Sequence, residues 1–508
     1  MNLLKPIDYF LNRTTMYRLV LYFLIWLLAV ALVVSALGRL PFSPWALLGS
    51  TLILLVLAWA TNTLFAAVWR VPANPESAII TALILALIIT PQLTTANFLF
   101  LGWAAVLSMA AKYLLAIKQK HLFNPAAIAV VITALALNQS ASWWIGTAAM
   151  APFVLAGGWL IVRKIRRPGL VVSFLLAALI ATSLFGLARG ADLPSLWWRF
   201  VLNTPLLFFA CVMLTEPLTT PPTRLWQIVY GALVGALFAP QIHLGVIYST
   251  PELALVAGNI LAYLASPKFK LQLRFKKKVQ LTPDTYDFVF TPDRPFKFRP
   301  GQYLEWTLGH SWPDSRGNRR YFTIASSPTE EDLIMGVKFY QPGSSFKRQL
   351  MNINEQTMIS AAQLAGHFTL PENPSAKLVF IAGGIGITPF RSMIKWLLDQ
   401  RQPRDITMFY CARTPADFAY KNIFDQAAAT LGLNIIYTIT DTAAVPPGWR
   451  GQSGQLTEAM IRQAVPDYLE RIFYLSGPRS LVDNFKRVLR RSGVSGKNIK
   501  TDFFPGFA

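Results

Sequence analysis

The sequence predicts a multi-domain chain: a polytopic α-helical membrane region, then a small antiparallel β-barrel, then an α/β domain built on a parallel sheet. Three observations predict it. Long apolar runs fill the chain up to residue 267. Short alternating runs separated by charged and Gly-Pro turns follow from Leu271. Beyond Lys377 the order becomes strand, Gly-rich turn, helix, which implies a parallel sheet covered by helices. The boundaries fall at 1–267, 268–372 and 373–508.

The composition agrees with two unlike halves. Of 508 residues 54% are hydrophobic and only 14% charged, against roughly 25% charged in soluble domains. Fifteen Trp suit anchoring at the level of lipid headgroups. The net charge of +22 sits largely beside apolar runs, so anionic lipid rather than nucleic acid is the expected partner. Two cysteines, Cys211 and Cys411, are too few for an iron–sulfur cluster built from this chain alone, which takes about four ligands. They also argue against a disulfide scaffold. The run from Leu19 to Leu37 exceeds the core of a signal peptide and reads as a first span.

A bilayer crossing takes about 20 mostly apolar residues. The candidate spans are 19–37, 44–67, 77–95, 98–117, 124–140, 143–162, 169–187, 198–215, 225–242 and 251–266, ten in all. The third, fifth, eighth and tenth are short or interrupted, as tilted or broken helices are. Loop charge alternates. Lys5, Arg13, Arg18, Arg70, Lys118, Lys120, Arg163, Lys164, Arg166, Arg167, Arg224 and the residues from Lys268 fall on one side; Arg39, Arg189 and Arg199 fall on the other. The excess of cations on the first side assigns it to the cytoplasm, with both termini, in a multi-pass protein of the bacterial inner membrane.

Polar segments interrupt the apolar half at Asn74-Pro75-Glu76-Ser77, His121 to Pro125, Thr215 to Thr223, and Glu252 with Asn259. Pro at a helix start costs little, and the free N–H groups of that first turn can hold an anion. The same residues also serve as interfacial caps. A carboxylate beside an apolar run, as at Glu216, is costly unless paired, hydrated or functional, and Arg224 is near enough in sequence to pair with it.

The stretches 74–91, 121–130 and 213–223 resemble the membrane subunit family shared by the B subunit of Na⁺-translocating NADH:quinone reductase and the D subunit of the Rnf complex. That resemblance implies about ten helices in two inverted repeats, and a bound flavin such as FMN or riboflavin. It places Asn124, Glu216, Thr219 and Thr223 among the cofactor-binding candidates. The Ser-Gly-Ala-Thr sequence to which members link FMN is absent, which argues against that covalent linkage. Haem is not expected, because a stacked haem pair takes about four His in the membrane and only His121 and His243 lie in the apolar half.

In the second half, Lys278–Thr282 and Tyr286–Phe290 read as barrel strands. Lys377–Ala382 is an apolar strand, Gly383-Gly384-Ile385-Gly386-Ile387-Thr388-Pro389 a turn into a helix over 389–400, and Ile406–Cys411, Asn434–Thr438 and Arg471–Leu475 are later strands. Small residues at a strand's carboxyl end let a pyrophosphate approach backbone N–H groups. Ser476-Gly477-Pro478 follows the last apolar strand and is expected at the same edge.

Together with Arg320-Tyr321-Phe322-Thr323, these motifs resemble the ferredoxin–NADP⁺ reductase superfamily over 271–507, including the reductase module of the Na⁺-translocating NADH:quinone reductase F subunit. The resemblance implies FAD as cofactor and NAD(P)H as substrate, with no metal. Arg320 would meet the FAD pyrophosphate beside Tyr321, Phe322 would pack on the isoalloxazine in place of the usual Tyr, and Thr323 would lie near flavin N5. Gly343-Ser344-Ser345 would make a second pyrophosphate contact, and Gly366-His367-Phe368 would lie beside the flavin. Gly383, Gly384, Gly386, Thr388, Pro389, Gly477 and Pro478 would take the dinucleotide. Ser476 stands where the family has Cys, on the hydride path, and Phe504 and Phe507 belong to an aromatic tail, one ring of which covers the flavin in this resemblance; core packing is the other reading of both. NADH and NADPH both fit; Arg413 is the nearest candidate for a 2′-phosphate.

The expected function is a membrane-bound NAD(P)H oxidoreductase that passes electrons through FAD into the membrane region, to a second flavin, a quinone or an extracytoplasmic acceptor protein. A channel or transporter driven or regulated by a fused reductase is the second reading, and a plainly anchored reductase the third.

Overall fold

This computed structural model describes residues 6–7, 10–11, 14–69, 75–117, 120–165, 167–221, 223–245, 247–265, 270–310, 314, 317–341 and 343–504. The chain divides into two compact units, Met1–Lys270 and Leu271–Ala508.

The first unit is helical: α1 (Met16–Ala36), α2 (Pro44–Val68), α3 (Pro75–Ile88), α4 (Thr95–Leu114), α5 (Pro125–Leu137), α6 (Ala151–Ile165), α7 (Pro168–Leu187), α8 (Leu193–Leu202), α9 (Leu206–Met213), α10 (Arg224–Leu237) and α11 (Pro251–Ala265). Ten spans in two inverted halves is not what forms. Among the described residues four helices, α1, α2, α4 and α7, are long and apolar enough to cross a membrane; α8 and α9, bent by 62°, make a fifth if counted as one. The apolar helices α3, α5, α10 and α11 have 14, 13, 14 and 15 residues. At 1.5 Å per residue each is about 20 Å long, short of the roughly 30 Å hydrocarbon core.

The apolar runs overestimated the helices because hydropathy continues where hydrogen bonding stops. The run 124–140 ends as helix at Leu137, where Asn138 turns left-handed at φ 54°. The run 198–215 breaks before Pro205, which lacks an N–H for the ladder. The run 143–162 opens with the short turn Trp144–Gly146, and α6 starts only at Ala151.

Helices α7 and α10 pack closely through Gly231 and Gly235. A Cβ on Gly231 would lie 2.3 Å from Ser173 Oγ and 2.5 Å from the Leu170 carbonyl oxygen; one on Gly235 would lie 2.3 Å from the Phe174 carbonyl oxygen. Small residues four apart let two backbones approach in an apolar medium.

The second unit has two sheets. Strands β1 (Leu271–Thr282), β2 (Thr285–Pro292), β3 (Tyr303–Thr307), β4 (Arg319–Thr323), β5 (Leu333–Lys338) and β6 (Met358–Ala365) form an antiparallel sheet in the order β4-β3-β6-β1-β2-β5. The expected barrel is a curled half-barrel. Its end strands β4 and β5 are not paired, and the chain bridges them through the Ala325 N–H and the Ile334 carbonyl oxygen at 2.8 Å. Helix α12 (Ser345–Met351) lies between β5 and β6 in the chain.

The other sheet contains β7 (Leu378–Gly383), β8 (Ile406–Ala412), β9 (Asn434–Ile439), β10 (Gln452–Ser453), β11 (Ile472–Pro478) and β12 (Ile499–Phe504). All pair in parallel, in the order β10-β9-β8-β7-β11-β12. Helices α13 (Thr388–Asp399), α14 (Lys421–Leu431), α15 (Glu458–Ala464) and α16 (Arg479–Arg491) alternate with the strands. Every residue of β7 is buried, as expected for a central strand covered on both faces. Phe380 and Ala382 join Phe390, Met393 and Leu397 of α13 in one core, while Val379 and Ile381 join Phe485 and Leu489 of α16 in another.

Replacing Gly235 by Val forces the α7–α10 contact apart. Overpacking of this kind costs about 1–3 kcal/mol, so the detergent-solubilised chain is expected to lose thermal stability and monodispersity, read by a melting scan and gel filtration.

Candidate active site

Parallel register brings distant motifs to one edge. Ala382 pairs with Ser476, and Gly383 pairs with Cys411. The chain leaves β7 through the turn Gly384–Ile387 and enters α13 with Pro389 in its first turn. A Cβ on Gly386 would lie 2.4 Å from both the backbone nitrogen and the Cα of Gly477. Gly477 itself has φ 150° and lies against the Gly383 backbone. Two bare backbones therefore meet where β7 and β11 end, leaving the ledge for a ligand free of side-chain bulk.

Ser476 is fully buried at that edge, and its Oγ makes no hydrogen bond to a described residue. A buried hydroxyl without a partner costs about 1–3 kcal/mol, so it suits a polar group brought by a ligand. Thr388 is buried and donates to the Ile385 carbonyl oxygen at 3.2 Å, which shapes the turn. Pro478 precedes α16, and its backbone pairs with Phe504 in β12. The Phe504 side chain and the whole of Phe507 lie outside the described residues, as do Asn74, Lys5, Arg13, Arg70, Lys118, Arg166 and Lys268.

A second locus forms on the half-barrel. Arg320 is only 8% exposed; its Nη1 donates to the carbonyl oxygens of Gly317 (3.0 Å) and Arg319 (2.7 Å). Its guanidinium lies 5.2 Å from the Phe346 ring centre, and its Nη2 is 3.6 Å from Asp314 Oδ1. Asp314 also accepts from the Ser345 backbone N–H at 3.0 Å, while the Asp314 N–H donates to Ser345 Oγ at 2.9 Å. A carboxylate thus sits between Arg320 and the first residue of α12. The cradle visibly takes an anion, and its donor set of guanidinium and backbone N–H suits a phosphate equally. Ser344 caps α12 by accepting from the Lys347 N–H, and Gly343 precedes it.

The remaining half-barrel residues divide by face. Phe322 is half-buried with its ring 5.9 Å from Phe346, on the Arg320 side. Tyr321 points the other way and donates to Glu305 at 2.7 Å. Thr323 is buried opposite Tyr303. Phe368, expected beside the flavin, packs inward between Tyr474 (5.1 Å) and Phe390 (5.6 Å).

In the helical unit, Glu216 accepts from Asn124 Nδ2 at 2.8 Å and from Thr219 Oγ1 at 3.2 Å, and its other oxygen is 3.6 Å from His121 Nε2. Asn124 also caps α5, and its own N–H donates to Asn259, which reaches Tyr230. Arg224, the pairing candidate by sequence, is exposed. Thr223 is exposed too and makes no capping bond through its side chain, so it stands apart from this group.

Sequence reading missed the residues that join the two sheets of the second unit. Tyr420 donates to Asp287 at 2.5 Å, beneath Gly336, where a Cβ would lie 2.6 Å from the Tyr420 hydroxyl. Arg391 pairs with Glu330. One signal was available: Arg391 interrupts the apolar stripe of α13, where an unpaired charge would not be tolerated. Nothing in the sequence singles out Asp287 or Tyr420.

Residues 380–487 match the Oxidoreductase NAD-binding domain, and residues 140–264 match the NQR2, RnfD, RnfE family. The glycine betaine monooxygenase reductase subunit of Chromohalobacter salexigens is 30% identical over 240 residues, 46% of this chain and 63% of that protein. The subunit of the same name in Pseudomonas aeruginosa is 29% identical over 224 residues, 44% of this chain and 60% of that protein. The chain thus spans under two thirds of the length of these curated relatives. Among solved structures, the flavohem-like FAD/NAD binding domain of nitric oxide dioxygenase from Vibrio cholerae aligns at a TM-score of 0.41 with 19% identity, covering 46% of this chain and 98% of that one. The chain therefore joins a ferredoxin/NAD(P)H-reductase-like domain to a membrane domain of the NQR2, RnfD, RnfE kind. Its C-terminal unit thus resembles an oxidoreductase NAD-binding domain and the reductase subunits that carry one.

Burial pushes the Asp287 carboxyl up to about 6, against the opposing pull of Tyr420 and Arg391. An unfolded Asp ionises near 3.9. Between these values the unfolded chain has lost the proton that the folded one keeps, so stability falls as pH rises from about 4 to about 6, by roughly 3 kcal/mol in total. Asp287→Asn is expected to flatten that slope, read as the thermal unfolding of the C-terminal unit within the full chain at pH 4.5 and 7.5.

Proposed function

We propose that the chain is a membrane-bound NAD(P)H oxidoreductase that delivers electrons from a cytoplasmic dinucleotide to an acceptor in or across the bacterial inner membrane. The observation that carries the reading is the bare-backbone ledge at Gly386 and Gly477 with the buried, unpartnered Ser476 hydroxyl at its end. It belongs to the same compact unit as the anion cradle of Arg320 and Ser345.

In this reading residues 268–372 hold FAD and residues 373–508 hold the dinucleotide. FAD, when bound, supplies two-electron acceptance from a hydride and one-electron release. The protein's part is binding and orientation. Arg320 and the N–H groups of Ser344 and Ser345 take the pyrophosphate in place of the Asp314 carboxylate. Phe322 offers a flat apolar face, and Thr323, the next residue of the strand, a hydroxyl near flavin N5. Gly383, Gly384 and Gly386 let the second pyrophosphate reach backbone N–H groups, with Thr388, Pro389, Gly477 and Pro478 fixing the turns around it. Ser476 meets the carboxamide end of the nicotinamide. No general base is required, since hydride moves directly between stacked rings once they are oriented.

Within the helical unit, Asn124, Glu216 and Thr219 are the candidate contacts for the acceptor, a non-covalent flavin or a quinone. Their support is that a carboxylate with three polar neighbours is assembled within a largely apolar helical unit. The cation-rich segments favour the cytoplasmic side, where reduced dinucleotide is available.

Purified chain should carry FAD and show bleaching of its yellow absorbance on adding NADH or NADPH; a colourless preparation unchanged by either overturns the proposal. Arg320→Ala is expected to lose most of its FAD on gel filtration, while full retention would place the pyrophosphate elsewhere. Glu216→Gln should keep NAD(P)H-to-ferricyanide activity and lose quinone reduction in liposomes. Equal loss of both would show a folding role instead.

A further inference from the structure

The loop that leaves the flavin strand is fastened to the helix that begins at the dinucleotide turn. Thr323 ends β4, and the chain runs on through residues 324–330. Arg391, 6% exposed on α13, donates from Nη1 to the Ala325 carbonyl oxygen at 3.0 Å and grips both oxygens of Glu330, with Nη2 to Oε1 at 2.9 Å. Glu330 in turn accepts from the Ser327 backbone N–H at 2.6 Å. The next residue on the helix, Ser392, donates to the Ser326 carbonyl oxygen at 2.6 Å. At the far end of α13, Asp399 accepts from Thr329 at 2.5 Å. The back of the Arg391 guanidinium lies 5.7 Å from the Tyr420 ring centre, and Tyr420 is held by Asp287 of β2.

We infer that Arg391 and Glu330 are positioning residues that set the distance between flavin and nicotinamide, an inference that rests on the functional reading above. The reason is geometric. The flavin-side loop and the turn Gly384–Ile387 are both attached to α13, within three residues of its start and over two further points along it. Each cofactor locus is therefore referred to one helix. A bidentate Arg–carboxylate pair fixes angle as well as distance, and Lys, a point charge on a flexible stem, does not reproduce it. A displacement of about 1 Å between reacting groups can cost roughly a hundredfold in rate. Neither side chain acts on the reacting atoms; their effect runs through the loop.

The test uses the full chain with Glu330→Gln and Arg391→Lys. Hydrogen exchange is followed at the amides of 325–330 and, as a control, of 378–383, without dinucleotide. Rapid mixing then measures flavin reduction by NADH and NADPH and by their C4-deuterated forms. The expected result is faster exchange confined to 325–330, unchanged FAD content, little change in dinucleotide KM, a reduction rate lowered roughly ten- to a hundredfold, and a larger deuterium isotope effect as hydride transfer becomes limiting. Variants that exchange and reduce like the parent overturn this inference while leaving the functional reading intact. Variants that lose FAD also overturn it, since the pair would then hold the cofactor rather than its alignment. A parent chain whose bound FAD stays oxidised under both dinucleotides overturns the functional reading and this inference with it. Should Arg391→Lys fail to fold, the isosteric Glu330→Gln decides the matter alone.

Discussion

The contact between two backbones at Gly386 and Gly477 is the constraint on which the second unit depends. β7 and β11 are neighbours in a parallel sheet, and the turn leaving β7 passes within van der Waals reach of the turn leaving β11. Any side chain at either position would wedge these turns apart. Because they touch, the Gly-rich turn, Ser476 and the start of α13 share one small region at the carboxyl edge of the sheet, where open parallel sheets bind ligands. The half-barrel is then attached to α13, so the anion cradle at Arg320 is held in the same frame.

Three buried charges in this unit have defined partners. Arg391 is matched by Glu330, Arg320 by Asp314 and backbone carbonyl oxygens, and Asp287 by Tyr420. Such pairs contribute little net stability over an apolar substitute, yet breaking one is costly because the survivor is left desolvated. Their value is geometric: each fixes a direction that apolar packing leaves loose. The helical unit uses polar groups in the same manner. Asn124 caps α5, donates from Nδ2 to Glu216 and from its backbone N–H to Asn259, so three separate segments meet at one residue. Elsewhere in the unit helices meet through Gly231 and Gly235, through apolar side chains, and through polar links such as Lys112 to Ser77 and Tyr113 to Asn62.

Motifs were legible where chemistry demands particular residue types at short spacing. Gly383 to Pro389 and Ser476-Gly477-Pro478 could be read as turns that share one sheet edge, because glycine and proline have backbone properties that others lack. Strand periods were legible too: the apolar run 377–382 is the buried strand Leu378–Gly383. Helix count in the apolar half was not. Hydropathy measures how a residue partitions, and it does not report where a hydrogen-bond ladder stops at Asn138 or before Pro205.

Composition and local pattern alone determined that the chain is half lipid-compatible and half soluble, and that the soluble half alternates strand and helix after a Gly-rich turn. Those properties follow from single residues and their nearest neighbours. Tertiary structure decided the rest: that Glu216 meets His121 and Asn124 rather than Arg224, that the antiparallel sheet stays open between β4 and β5, and that Arg391 reaches 61 residues back along the chain to Glu330. Pairings between distant residues depend on how whole elements pack, and packing is set by the sum of many weak contacts that no local window contains.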